Sequence, residues 1–342
     1  VCDEIKKERV MKKTIVLSIV ALCVLMGPVC FAFHVEVLQV GDITVFQLCY
    51  KGFIEELAKN DIVEGKNLTI NRHIIEAQAD AGLWKKVGIL MRIRRAASDI
   101  IQAKPDLVLT IGTPATKYGK DKMIGNGIPV VFTGVADPLV VGCPSLDRPG
   151  NGITGSTLYI DPHNVIQIAQ QALPNMKKMG MIHSDDDNAI AYAQEAKEKA
   201  AKLNVELITK EVEKSADIHT FAEEMIAQGV DAFGIPIDSY YDLSNGKATR
   251  DLVAVSHETR IPIIAFVTHT TLKGTLLYVG CNFTTVGGLA GKNAVEILCN
   301  HKKPEELSVL RQEDMTILVD PEVIKYLGVE IPLGILQLAE SI

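Results

Sequence analysis

Between His34 and the C-terminus, short apolar runs alternate with longer stretches whose apolar positions recur at three- and four-residue intervals. Short uninterrupted runs mark strands buried on both faces of a sheet, and the three-four spacing marks helices with one apolar face. The pattern predicts strands at His34–Val40, Asn67–Asn71, Leu107–Ile111 and Ile128–Phe132, and helices at Phe46–Ala58 and Ala79–Ala103. After the Pro/Gly-rich stretch Ser145–Gly155, read as a link, the alternation restarts. It gives helix Pro162–Leu173 with Asp161 as N-cap, strand Met179–His183, helix Ala189–Leu203, strand Val205–Thr209 and helix Ala216–Gln228. A strand at Thr275–Gly280, a helix opening at Gly287-Gly288, a strand at Met315–Val319 and a helix initiated by Pro321 follow. Such alternation predicts an α/β class with parallel sheets.

One phrase occurs twice. Lys104–Pro138 has an Asp (Asp106) opening a short strand, a small polar turn, a helical segment, and then Ile128-Pro129-Val130-Val131. Gly229–Thr268 repeats this with Asp231, the turn Asp238-Ser239, a helical segment and Ile261-Pro262-Ile263-Ile264. In the first copy Gly112 lets the backbone turn, Thr113 is a candidate helix cap, and Pro114 suits a first helical turn. Ligands of open parallel sheets sit at the carboxyl ends of the strands. Two copies of one unit therefore predict two similar lobes whose strand ends face each other across a cleft.

At 342 residues the chain is long enough for two domains of about 150 each. Its net charge is −7, and the first 32 residues hold five Lys/Arg against three Asp/Glu, leaving −9 on the rest. With one Trp and 5% aromatic residues as well, the composition opposes a nucleic-acid-binding surface. Met11-Lys12-Lys13 precedes an apolar segment, then Gly27-Pro28 and Phe31-Ala32, the layout of a secretory signal cut after Ala32. Met11 then reads as the translation start. An uncleaved membrane anchor is the alternative, although the run is short for a span of about 20 residues. Cys30 is a candidate for lipid attachment. Downstream, Cys49, Cys143, Cys281 and Cys299 lack CxxC or zinc spacing and read as buried free thiols.

With these residues in view, the chain resembles the substrate-binding proteins of bacterial ABC importers, in the branch of the type I periplasmic-binding-protein fold that includes aromatic-amino-acid binders. The resemblance rests on Lys51–Phe53 (KGF), Gly65–Asn67 (GKN), KPDLVLTIGTPAT, IPVVFTGVADP, SLDRPGNGITG, the Asp-Asn stretch after His183, VDAFGIPIDS and IPLGILQLA, in collinear order. It implies two Rossmann-like lobes joined by three crossings, near Gly155–Tyr159, Cys281–Thr284 and Met315–Asp320. Residues 33–156 with 284–315 would form one lobe, and 157–283 with 316–342 the other. Family ligand positions map onto Thr113, Ala115, Thr133 and Asp137 in the first lobe, and onto Asp187, Asn188, Asp238, Ser239 and Asn282 in the second. The implied partners are a small solute and a membrane permease, with the chain acting as an exported monomer, and neither cofactor nor metal is implied. Three departures bear on the ligand, one being that the segment after His183 is a residue shorter than in relatives. GDITVFQ replaces a His-Pro-bearing loop after the first strand, and Asn282 stands where relatives tend to carry an acid.

Helix N-termini at the turns after Ile111 and after Ile237 suit a carboxylate, and Asp137, Asp187 or Asp238 suit an ammonium. That pairing predicts an amino acid or a comparable small polar solute. Blander roles stand beside it: Thr113 as a cap, Asp137 as a turn residue before Pro138, Asp185 and Asp186 as a solvated loop or divalent-metal ligands, and His269 at a cleft edge. An enzyme is disfavoured because no GxxxxGK, GxSxG or HExxH string occurs, nor a GxGxxG between strand and helix. An exported ligand-sensing module would use the same cleft with another partner.

Overall fold

The computed structural model describes residues 33–76, 83–268 and 273–342. The signal-like segment with Cys30, and His269, lie outside these residues. Two sheets organise the chain. The first contains β1 (Phe33–Val40), β2 (Leu68–Ile75), β3 (Leu107–Ile111), β4 (Val130–Val135), β5 (Ile153–Thr157) and β11 (Leu310–Arg311), in the order β11-β5-β4-β3-β1-β2. The second contains β6 (Lys178–Ser184), β7 (Glu206–Val212), β8 (Ala232–Ile235), β9 (Ile263–Ala265), β10 (Leu277–Gly280), β12 (Thr316–Val319) and β13 (Glu340–Ser341), in the order β13-β12-β10-β9-β8-β6-β7. The first sheet is parallel throughout. The second is parallel except where β10 meets β12. β12 arrives through a direct passage from the other sheet rather than through a crossover helix, so nothing forces it parallel.

Helices cover both faces. On the first sheet, α1 (Thr44–Lys59) buries Cys49, Phe53 and Leu57 against Val35 and Val37. α2 (Leu83–Ala103) and α3 (Thr113–Ile124) bury Ile93, Ala97, Ile100 and Ala115 against Leu38 and Val40, on the other face. The second sheet carries α4 (Pro162–Ala172), α5 (Asp187–Lys202), α6 (Ile218–Ala227), α7 (Leu243–Thr259), α9 (Pro321–Leu327) and α10 (Leu333–Leu338). The remaining helix, α8 (Phe283–Leu298), follows β10 of the second sheet yet packs on β4, β5 and α1 of the first. The chain therefore passes between sheets after β5, after β10 and after β11.

The Ser145–Gly155 stretch is not itself a passage. Ile153–Thr157 is a fully buried strand beside β4, and the chain leaves only after it. Its ITGST sequence hides it, because Gly155 lies so close to Phe132 that a Cβ would sit 2.2 Å from the Phe132 carbonyl oxygen. A GxGxxG string does occur at Gly150–Gly155, but it runs into this strand instead of leading from strand to helix, so it is no dinucleotide loop. α8 begins four residues before Gly287, capped by Asn282, whose Oδ1 accepts the Thr285 N–H at 3.0 Å. Gly287 serves packing: a Cβ on it would lie 1.9 Å from the Cys49 carbonyl oxygen.

Candidate ligand-binding cleft

In each sheet one point reverses the strand order, between β1 and β3 in the first and between β6 and β8 in the second. Flanking connections leave such a point in opposite directions, which opens a crevice at the carboxyl ends of the strands. The two crevices face each other. A cavity of about 780 Å³ lies between them, within the range of small-molecule sites.

The first lobe supplies an apolar wall. After β1, Gly41 takes φ 87° and the chain enters α1 through Ile43, Val45 and Phe46, all of which line the cavity. Phe46 lies with its ring against Gly112, where a Cβ would meet the ring at 2.7 Å. Gly112 itself has φ 87°, donates its N–H to the Thr133 carbonyl at 2.9 Å and precedes α3 as its N-cap, without a side-chain cap. Thr113 is therefore the first helical residue, not the cap, and it lines the cavity with Pro114, Lys117 and Tyr118.

The second lobe supplies a polar wall. β6 ends at Ser184, and Asp185 to Asn188 lead into α5; β8 ends at Ile235, and Pro236 to Ser239 lead into a 3-10 turn. Asp238 ties these ends together, its Oδ2 accepting Ser184 N–H at 2.6 Å and its Oδ1 accepting the Ser184 hydroxyl and Tyr240 N–H at 2.9 Å each. Burial pushes its carboxyl above the ordinary range, against the lowering by those N–H donors and by Lys214. Lys214 pairs with Asp186 at 2.5 Å and donates to Ser239 Oγ at 3.1 Å. Asp187, at the start of α5, pairs across the cleft with Lys117 of α3, which raises the Lys117 ammonium above its usual value through that hydrogen bond. Asp185, Glu213 and Asp242 also border the cavity, so among the described residues its carboxylates all belong to the second lobe.

Of the residues singled out in the sequence, Thr113, Asp187, Asn188, Asp238 and Ser239 line this cavity. Ala115, Thr133, Asp137 and Asn282 do not. Ala115, in the first turn of α3, is fully buried. Thr133 is fully buried and accepts the Ser156 hydroxyl at 3.0 Å. Asp137 accepts the Leu139 N–H at 2.8 Å in its own turn. Asn282 is exposed at the second passage, caps α8 and donates its N–H to Gln312 at 2.8 Å. Among the described residues, no group of three His, Cys, Asp or Glu side chains is placed to hold a metal ion. The sequence reading overlooked Phe46, Lys117 and Lys214. Lys117 had a signal, since it lies four residues after Thr113 and so on the same face of α3.

A family model described as ABC transporter substrate binding protein matches residues 34–342. The chain belongs to this family. The family is one of substrate-binding proteins rather than enzymes, and its members act outside the cytoplasm with ABC permeases. Among the described residues, no helix is long and apolar enough to cross a membrane. A tyrosine-binding protein of Clostridioides difficile is 25% identical over 282 residues, 82% of this chain and 76% of that protein. A conserved domain protein from Vibrio cholerae superposes with a TM-score of 0.76 at 23% identity, covering 91% of this chain and 99% of that one. A pneumococcal ABC domain in complex with L-Trp gives a TM-score of 0.74 at 23% identity, covering 90% and 99%. These structures establish the type I periplasmic-binding-protein fold, with two α/β lobes, for this substrate-binding protein.

Proposed function

We propose that this chain is the extracytoplasmic solute-binding component of an ABC importer, that it traps an amino acid with an aromatic side chain between its lobes, and that it hands this solute to a membrane permease as a monomer. The single observation that carries the reading is the polarity of the cleft. One wall is apolar around Phe46, the other is acidic, and both border one cavity of about 780 Å³. An apolar side chain suits the first wall and an ammonium suits the second. A carboxylate suits the start of α3, where the Thr113 N–H at the cavity wall precedes the first intrahelical bond. The names of the tyrosine-binding relative and of the L-Trp complex support the same ligand class.

A solute that touches both lobes favours closure in proportion to its preference for the closed state, and one held by a single lobe shifts nothing. Micromolar to nanomolar capture corresponds to roughly −8 to −12 kcal/mol, within reach of a few charge-assisted hydrogen bonds and a buried ring. The test is titration calorimetry and thermal shift on residues 33–342 with L-tyrosine, L-tryptophan, L-serine, L-aspartate and ribose. Binding raises the melting temperature of the state that binds. A response to the aromatic amino acids supports the reading; a response to ribose or L-aspartate alone, or to nothing, overturns it. Delivery is tested by uptake in proteoliposomes carrying the cognate permease, which should depend on added binding protein.

A further inference from the structure

The ion pair between Lys117 and Asp187 joins the two lobes directly, from the second turn of α3 to the first turn of α5, and both residues line the cavity. Lys214, the other described cation on the cavity wall, is occupied within its own lobe by Asp186 and Ser239. Among the described residues, Lys117 is thus the lining cation that the first lobe turns toward the second. Its side chain is 33% exposed and that of Asp187 is 61% exposed. A pair so open to water biases lobe closure by a factor of about five at most, and it exchanges partners at little cost.

We propose that a bound zwitterion inserts into this pair: the solute's carboxylate takes Lys117, its ammonium takes Asp187, and the two side chains thereby select for molecules carrying both groups. The inference rests on the amino-acid reading above and adds to it the residues that read the charges. Insertion conserves charge. One lobe-to-lobe contact becomes two contacts, each joining the solute to one lobe, and neither side chain is left without a counter-ion. An amine lacking the carboxylate would place its cation between Asp187 and an unmatched Lys117. An acid lacking the ammonium would leave Asp187 facing a second anion. Both cases set like charges together as the cleft closes, where the lower dielectric strengthens the repulsion. The apolar wall around Phe46 is the same for all three molecules, so it does not discriminate among them.

The test uses calorimetry on residues 33–342 with L-tyrosine, tyramine and 3-(4-hydroxyphenyl)propionate, in the wild type and in Lys117→Met, Lys117→Arg and Asp187→Asn. Both residues are surface positions, and thermal melts check that each variant keeps its fold. The wild type should prefer L-tyrosine to either truncated analogue by tenfold or more. Lys117→Met should lower L-tyrosine affinity at least tenfold while tyramine binding holds or improves, which collapses the preference. Lys117→Arg should retain most of it. Asp187→Asn should weaken L-tyrosine but not the propionate. A merely structural role for the pair would move all three molecules alike. If the wild type binds L-tyrosine and the variants leave the ratios unchanged, insertion is wrong and the amino-acid reading stands. If the wild type binds none of the three, that reading fails and the inference falls with it.

Discussion

Asp238 holds Ser184 twice, through its backbone N–H at 2.6 Å and its hydroxyl at 2.9 Å. The two residues sit on either side of the point where the second sheet reverses its strand order, so this clamp fixes the width of the crevice there. Asp238→Ala would leave a buried N–H and hydroxyl of Ser184, and the N–H of Tyr240, without their acceptor. Each such group costs about 1–3 kcal/mol when unsatisfied, and partial relaxation should bring the total to about 2–4 kcal/mol. Chemical denaturation should show that loss together with weaker solute binding; an unchanged unfolding midpoint would exclude the clamp.

The same carboxyl predicts a pH effect. Burial raises its folded-state pKa above the unfolded value of about 3.9. The folded chain therefore binds this proton more tightly than the unfolded chain. The group's contribution is fully present below the unfolded pKa and is lost as pH rises through the folded one. Asp238→Asn cannot titrate, so its melting temperature should fall less steeply than the wild type's as pH rises from about 4. Parallel curves over pH 4 to 7 would contradict the shift.

Gly287 and Gly288 are adjacent in α8 but meet different surroundings. A methyl on Gly287 would lie 1.9 Å from the Cys49 carbonyl oxygen, whereas one on Gly288 would find its nearest neighbour at 3.6 Å. Gly287→Ala should push α8 off α1 and destabilise by about 1–3 kcal/mol or more. Gly288→Ala should be neutral or stabilise by up to about 1 kcal/mol through helix propensity. Equal effects in thermal melts would refute the close contact.

Thiol reactivity should separate Cys299 from the other three described cysteines. Cys49, Cys143 and Cys281 are buried, and burial pushes their thiols up to about 12, 11 and 12. Cys299 is exposed, with burial raising it less. The thiolate is the reactive species, so at pH 8 residues 33–342 should take up one equivalent of iodoacetamide quickly and three more only in denaturant. Mass spectrometry locates the first label; rapid labelling of Cys49 would contradict its burial.

Much of this fold could be read from the sequence because the repeated phrase does equivalent structural work in each sheet. Asp106 accepts the His34 N–H at 2.8 Å before β3, and Asp231 accepts the Lys177 and Lys178 N–H groups at 2.8 Å before β8. Pro129 and Pro262 each offer a carbonyl to the neighbouring strand, to Val108 and Phe233 at 2.9 Å. Features set by distant neighbours could not be read. ITGST is a strand because Phe132 and Thr133 lie beside it, and Gly287 of α8 makes sense only against α1. Hydroxyl and acidic side chains at the cleft are legible by residue type, whereas the place of Lys117 is not, because it is set by contact with a residue 70 positions later.

The threading of the chain between its sheets bears on how the molecule is made. α8, the partner of α1, comes only after β6 to β10 of the second sheet, and β12, the partner of β10, comes only after α8. Neither half is therefore finished while the other is still missing from the nascent polypeptide. A stop before residue 283 leaves both halves with an open seam, the first without α8 and the second without β12.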